Sequence, residues 1–327
     1  MKKTVIALMA ACCLMACGNG KKANQQATDN DSTAVETEAQ VAEGSSDESL
    51  RVFEGKDYKL DIRKDKAIYT YKGVSYEFAH VDAGTFTMGS SADAKEADDN
   101  EKPAHQVTIT KDFYIGKTEV TWDFWKAVMG SYPSDSEGQG EEAESKKHPD
   151  GWPVDNVSQE QCQLFIHTMG MHFGELQEFR LPTEAEWEFA ARGGNKSKGF
   201  AYSGSNNRNE VAWYSDNAGN ATHKVATKKP NELGIYDMSG NVYEWCSDNY
   251  DKYSSEAQTD PHAYTASDSY VLRGGNIFMD DGCRVAARYM DSCDNDDNPF
   301  YGCRPVLIHY NRESEYFEQP GDEGGEE

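Results

Sequence analysis

From Gly194 to about Leu307 the chain runs for over a hundred residues with neither a helical nor a strand period, and Gly, Asn, Asp and Ser dominate it. Irregular backbone of that length inside a compact domain is uncommon, and is normally functional loop or disorder. Disorder is the poorer reading, because Trp213, Tyr236, Trp245, Tyr250, Tyr264, Phe278 and Phe300 are spaced along it and segments that stay unfolded are poor in aromatic residues. The segment is therefore expected to fold as loops around an aromatic core. That limits the chain to a compact, loop-rich structure with little regular secondary structure in this half.

The remaining regular signals are local. Ser158 with Gln161 forms a capping box, after which Cys162, Phe165, Ile166 and Met169 fall at helical spacing. Thr183 with Glu186 forms a second; Trp187, Ala190 and Ala191 make its apolar face, and Gly193 and Gly194 stop it. Thr121 is expected to cap a third helix burying Trp125, Val128 and Met129. Imperfect alternation from Arg51 to Phe78 predicts short hairpin strands.

At the N-terminus Lys2 and Lys3 precede an apolar run, Val5 to Ala16, too short to span a bilayer but with the regions of a secretory signal. Its end, Leu14-Met15-Ala16-Cys17, resembles the bacterial lipoprotein signal, which implies cleavage before Cys17 and lipid attachment to its sulfur. Residues 17–49 are polar and acidic with no aromatic residue, so ordering them would cost entropy that no burial returns. They read as a tether, and 312–327 as a solvated acidic tail. The organisation expected is a signal peptide over 1–16, the tether over 17–49, a β extension over 50–77 and a main domain over 78–311. Asp and Glu number 57 against 32 Lys and Arg, a net charge of -25, which repels a phosphate backbone. Nucleic acid is excluded as a partner.

Within the main domain the words AGTFTMGS (Ala83 to Ser90), IGKTEVT (Ile115 to Thr121), PVDNVS (Pro153 to Ser158), RLPTEAEWEFAARGG (Arg180 to Gly194) and KKPNELGIYDMSGNVYEWCSD (Lys228 to Asp248) occur in order, followed by VLRGG, RVAAR and GCRPV. In these words the chain resembles the formylglycine-generating enzyme or sulfatase-modifying-factor family over about Phe78 to Leu307. The resemblance implies an irregular, loop-rich α+β fold, related to C-type lectins, with few short helices and strands. It also implies an oxidase chemistry in which two cysteines shortly after RGG bind copper(I) and convert a sulfatase cysteine to formylglycine.

That chemistry is not expected here. The corresponding stretch, Gly274 to Arg288, holds only Cys283, and Met279 stands where the first cysteine falls by counting from the glycines. A thioether can touch copper(I) but cannot replace a thiolate. Cys283 is left as a weak catalytic candidate and copper as an unexpected cofactor. Cys246, Cys283, Cys293 and Cys303 are candidate disulfide cysteines for an exported chain, while Cys162, on the apolar face of its helix, reads as a free buried thiol.

Family members bind structural calcium near the SGNVYEW word and the Asn/Asp-rich loop before it, and irregular loops can supply the six to eight oxygens calcium takes. The resemblance makes Asp216, Asn217, Asn241 and Glu244 the calcium candidates. His167 and His172, five apart, do not share a helix face, and His105 and His223 are isolated, so all four read as exposed or satisfied. Lipoprotein relatives serve in gliding and secretion machineries of Bacteroidetes-type bacteria. The expectation is thus a non-catalytic envelope lipoprotein, likeliest in the outer membrane, held there by its lipid and binding envelope proteins or glycans; a divergent formylglycine-generating oxidase is the alternative.

Overall fold

The computed structural model describes residues 35–37, 49–133, 149–173, 177–294 and 300–309. The signal peptide, Cys17 and the acidic tail lie outside them.

Eight strands form the largest sheet. In chain order they are β1 (Val35–Thr37), β2 (Ser49–Glu54), β3 (Tyr58–Arg63), β4 (Lys66–Tyr71), β5 (Val74–Val81), β8 (Phe113–Gly116), β9 (Gln177–Arg180) and β15 (Val306–His309), laid side by side as β1-β2-β3-β4-β5-β8-β15-β9. A three-stranded sheet joins β6 (Gly84–Met88), β7 (His105–Ile109) and β11 (Gln258–Thr259); a four-stranded one joins β10 (Tyr243–Asn249), β12 (Ser269–Arg273), β13 (Tyr289–Ser292) and β14 (Tyr301–Gly302). The helices are α1 (Trp122–Met129), α2 (Gln159–Gly170), α3 (Glu184–Ala191) and the single turn α4 (Arg208–Val211).

The β extension is continuous with the main domain. Tyr58, Leu60 and Ile62 of β3 and Tyr69 of β4 face inward, together with Tyr76 and Phe78 of β5, and pack with Trp125 of α1 and Phe165 of α2. Full burial of such a side chain contributes roughly 1.5–3 kcal/mol, so this meander is a wall of the core. Strand β1 lies inside the segment read as tether, where it pairs antiparallel with β2 in the register Val35 opposite Glu54. The edge of β2 offers free backbone groups, and Val35 and Thr37 are good strand formers.

Strands β8 and β15 are buried on both faces, which explains their unbroken apolar runs Phe113-Tyr114-Ile115 and Val306-Leu307-Ile308. Tyr114 and Leu307 enter the first core, while Ile115 and Val306 enter a second beneath α3, with Trp187 and Phe189. Both capping boxes form. Ser158 Oγ accepts from Gln161 N at 3.2 Å, and Thr183 Oγ1 accepts from Glu186 N at 3.1 Å. Thr121 precedes α1 as expected, without a side-chain cap.

The irregular region is compact, but its anchors differ from those expected. Trp245 is fully buried, whereas Tyr264 is 74% and Phe278 48% exposed. Tyr243 and Tyr301 are buried in the same core as Trp245, and Tyr214 is buried in a separate cluster with Cys283. An aperiodic stretch gives no phase from which to assign a ring to the inside.

Candidate functional site

The recognisable words converge on a buried polar hub. Arg304, from GCRPV, is fully enclosed; its Nε and Nη2 donate to the two oxygens of Glu244 at 2.8 and 2.7 Å. Its Nη1 donates to Gly116 O at 2.7 Å and Nη2 also to Tyr236 O at 3.0 Å. Glu244, on β10, takes a third hydrogen bond from Trp187 Nε1 of α3 at 2.7 Å. This bidentate, dry pair thus ties the end of the chain to three other segments. Beside it Glu119 accepts from Asn241 Nδ2 at 2.9 Å, and burial pushes its carboxyl well above the usual range.

A second network runs through α3. Arg273 of VLRGG donates to Glu188 at 2.5 Å and to Glu184 at 3.1 Å. Arg288 of RVAAR forks onto Glu184 at 2.6 and 2.8 Å, and Arg284 onto Glu101 at 2.8 and 2.7 Å. For Glu188, burial favours the neutral acid, but Arg192 and Arg273 outweigh it and hold the carboxyl below its ordinary value. Sequence reading missed these carboxylates and arginines. Their one signal was an Arg set against Val-Leu or Gly-Gly, and three Glu in a helix otherwise apolar and aromatic.

The hub has a pH signature. Burial raises Asp237 to about 6, although the Ala226 N–H and Arg304 oppose it. An acid whose folded pKa lies above its unfolded value gives stability that is fully present below the unfolded pKa and is lost as pH rises through the folded one. Asp237→Asn is therefore expected to gain stability relative to the parent as pH rises from about 4 to above 6. Urea unfolding of both proteins across that window checks it; a constant difference between them would refute the assignment.

Cys283 closes a short 3-10 turn, with no solvent exposure, and its thiol donates to Met279 O at 3.8 Å. Burial pushes the thiol up to about 12, even with Arg208 pulling it down. Ala212 and Tyr214 pack on it. A reactive cysteine needs the opposite, an exposed electropositive setting that favours thiolate.

Cys246, Cys283 and Cys303 are free buried thiols, so the disulfide expected among them does not form; Cys293 is disulfide-bonded. The thiol that neighbours Cys303 is that of Cys162, in hydrogen-bonding contact with it. Burial raises both Cys162 and Cys246 well above the ordinary thiol value. Alkylation of the native protein is expected to spare Cys162, Cys246, Cys283 and Cys303 and to reach them only after denaturation, as mass spectrometry of labelled peptides would show. Rapid native labelling of Cys283 would contradict its enclosure.

Three of the four calcium candidates are engaged elsewhere. Both Glu244 oxygens serve Arg304, and Asn241 Oδ1 accepts from His223 N at 2.9 Å. Asn217 Oδ1 accepts from Tyr214 N at 2.9 Å, and Asp216 is exposed on that turn. With its one buried carboxylate already neutralised by a guanidinium, this set does not fit a calcium ion. Among the described residues the single cluster of His, Cys, Asp and Glu with metal-like spacing is His80, Asp82 and Asp112, mostly exposed. Of the histidines, His167 is exposed and His172 lies stacked at 4.4 Å on Tyr58. His223 stacks at 3.7 Å on Trp213. His105 is buried at the start of β7.

Comparison with known proteins agrees with this architecture. The chain is 38% identical over 211 residues to the chaperone protein LppX of Paenibacillus barcinonensis, covering 53% of this chain and 71% of that one. It is 30% identical over 210 residues to the formylglycine-generating enzyme of Streptomyces coelicolor, covering 58% of this chain and 63% of the enzyme. Among solved structures, Treponema denticola variable protein 1 superposes with a TM-score of 0.61 at 28% identity, over 74% of this chain and 98% of that one. PvdO from Pseudomonas aeruginosa shares the fold, with a TM-score of 0.54 at 23% identity over 71% and 94%. Residues 71–307 match the sulfatase-modifying factor enzyme 1-like domain, and with the buried hub built from that family's own words, the chain belongs to the sulfatase-modifying factor family.

Proposed function

We propose that this protein is a cell-envelope lipoprotein whose sulfatase-modifying-factor domain is a non-catalytic binding or scaffold module. The observation that carries the reading is Cys283, a buried thiol whose pKa is raised to about 12, in a stretch with Met279 where the resemblance puts the other cysteine. Two-thiolate copper chemistry has no second thiolate there. Copper(I)-loaded protein given oxygen and a sulfatase-type cysteine peptide is expected to make no formylglycine. Conversion of the peptide cysteine to the aldehyde, abolished by Cys283→Ser, would establish instead the divergent oxidase that 30% identity to the Streptomyces enzyme favours.

The anchoring half of the reading rests on the Leu14 to Cys17 word. No helix among the described residues is long and apolar enough to cross a membrane, so attachment would fall to the lipid. Cys17→Ser is expected to move the protein from the membrane fraction to the soluble one, and unchanged retention would defeat the lipid anchor.

A further inference from the structure

Next to the α3 ion network lies a cavity of about 450 Å³, within the usual size range for small-ligand sites. His105 sits in its wall, only 5% exposed. Its Nδ1 is 3.2 Å from Pro103 O; a carbonyl can only accept, so Nδ1 donates, and in the neutral ring Nε2 carries the lone pair. Nε2 has no partner among the described residues and is not one of the sealed, unsatisfied buried atoms. It therefore opens into the cavity.

The rim repeats the pattern. His262 Nε2 is 3.4 Å from Ser247 O, so in the neutral ring its Nδ1 is the acceptor, and Gln258 and Thr259 add groups that both donate and accept. The charges of the floor are already spent on one another. Glu184 accepts from Arg288, Arg273 and the Tyr253 hydroxyl, Asp248 accepts from the backbone N–H groups of Glu184 and Ala263, and the exposed Asp251 and Lys252 at the rim bring opposite charges that offset each other, so the lining as a whole favours neither a cation nor an anion. The two histidines belong to no metal-spaced cluster among the described residues. Met88, Pro261 and the Tyr253 ring supply apolar wall between the polar groups.

Neutral acceptors, mixed donors and apolar wall together suit a ligand that carries many hydroxyls on a partly apolar ring, and a net charge of -25 disfavours a sulfated one. We propose that this cavity binds a neutral oligosaccharide, with His105 Nε2 accepting from one sugar hydroxyl at the floor and His262 Nδ1 from another at the rim. This deepens the reading of the domain as a binding module and rests on it.

The test is a titration of the full chain with maltohexaose, cellohexaose and chitohexaose, and with heparin as the sulfated probe, following the imidazole nitrogens by ¹⁵N NMR. One of the neutral oligosaccharides is expected to shift the His105 Nε2 resonance saturably. Loss of one hydrogen bond in His105→Phe, which keeps a ring against Tyr253 but has no acceptor, should weaken that binding about tenfold. His262→Ala, at an exposed position, should do the same without endangering the fold. Absence of binding by all three neutral probes, binding of heparin alone, or affinity unchanged in both variants would overturn the proposal. Such a failure, with the peptide assay still showing no formylglycine, would remove the glycan site and leave the non-catalytic reading in place.

Discussion

Arg304→Leu is expected to lower the unfolding free energy by about 3–5 kcal/mol, the usual cost of stranding one member of a buried ion pair. Both partners are fully enclosed, so the abandoned Glu244 carboxylate would have no water to turn to. It would keep only the Trp187 N–H at 2.7 Å, and Gly116 and Tyr236 would each lose a donor. The double variant Arg304→Leu/Glu244→Gln separates charge from packing. Removing both charges should recover a good part of the loss, since a neutral amide is far less costly to bury than a lone carboxylate. Guanidinium unfolding of the three proteins decides the matter. If the double variant is no more stable than the single, the cost lies in lost shape and lost carbonyl partners, not in the stranded charge.

That hub also shows what a sequence of this kind reveals and conceals. The capping boxes were legible because each is complete within four residues: Ser158 and Gln161, or Thr183 and Glu186, specify their helix start locally. The family words were legible as words. Their physical roles were not, because the partners lie far apart in the chain: Arg304 reaches Gly116 across 188 positions, and Arg284 reaches Glu101 across 183. A charged residue read alone looks like surface, and only the fold says that it is buried with its counter-ion. The same holds for the cysteines. That Cys283 is the one cysteine between Gly274 and Arg288 can be read off the sequence, but the contact between Cys162 and Cys303 joins α2 to the segment before β15, a proximity no spacing rule encodes. The calcium quartet was read without a related kind of information. Side-chain oxygen chemistry can be counted from sequence, whereas prior commitment of those oxygens to Arg304 or to backbone N–H groups cannot.

Gly240→Ala is expected to cost as much as losing the ion pair, by a mechanism confined to the backbone. Gly240 has φ +83°, and a Cβ placed there would lie 2.1 Å from Trp213 O and 2.9 Å from Trp213 C. A left-handed backbone angle costs a residue with a side chain about 1–3 kcal/mol, and overpacking a rigid site typically adds about 1–3 kcal/mol. The neighbouring backbone cannot yield cheaply. Asn241 N donates to the same Trp213 carbonyl at 2.8 Å, and Gly240 N donates to Gly274 O at 2.8 Å, so moving one segment breaks the register of two others. The shift would also carry Asn241 away from Glu119, leaving a buried carboxyl with fewer donors. Gly234→Ala is the matched control: its φ is +77°, yet nothing lies within 4 Å of the added carbon. The control should lose only the conformational part. Equal destabilisation of the two variants in thermal unfolding would show that the close approach to Trp213 does not hold this turn, and that backbone angle alone sets the requirement for glycine.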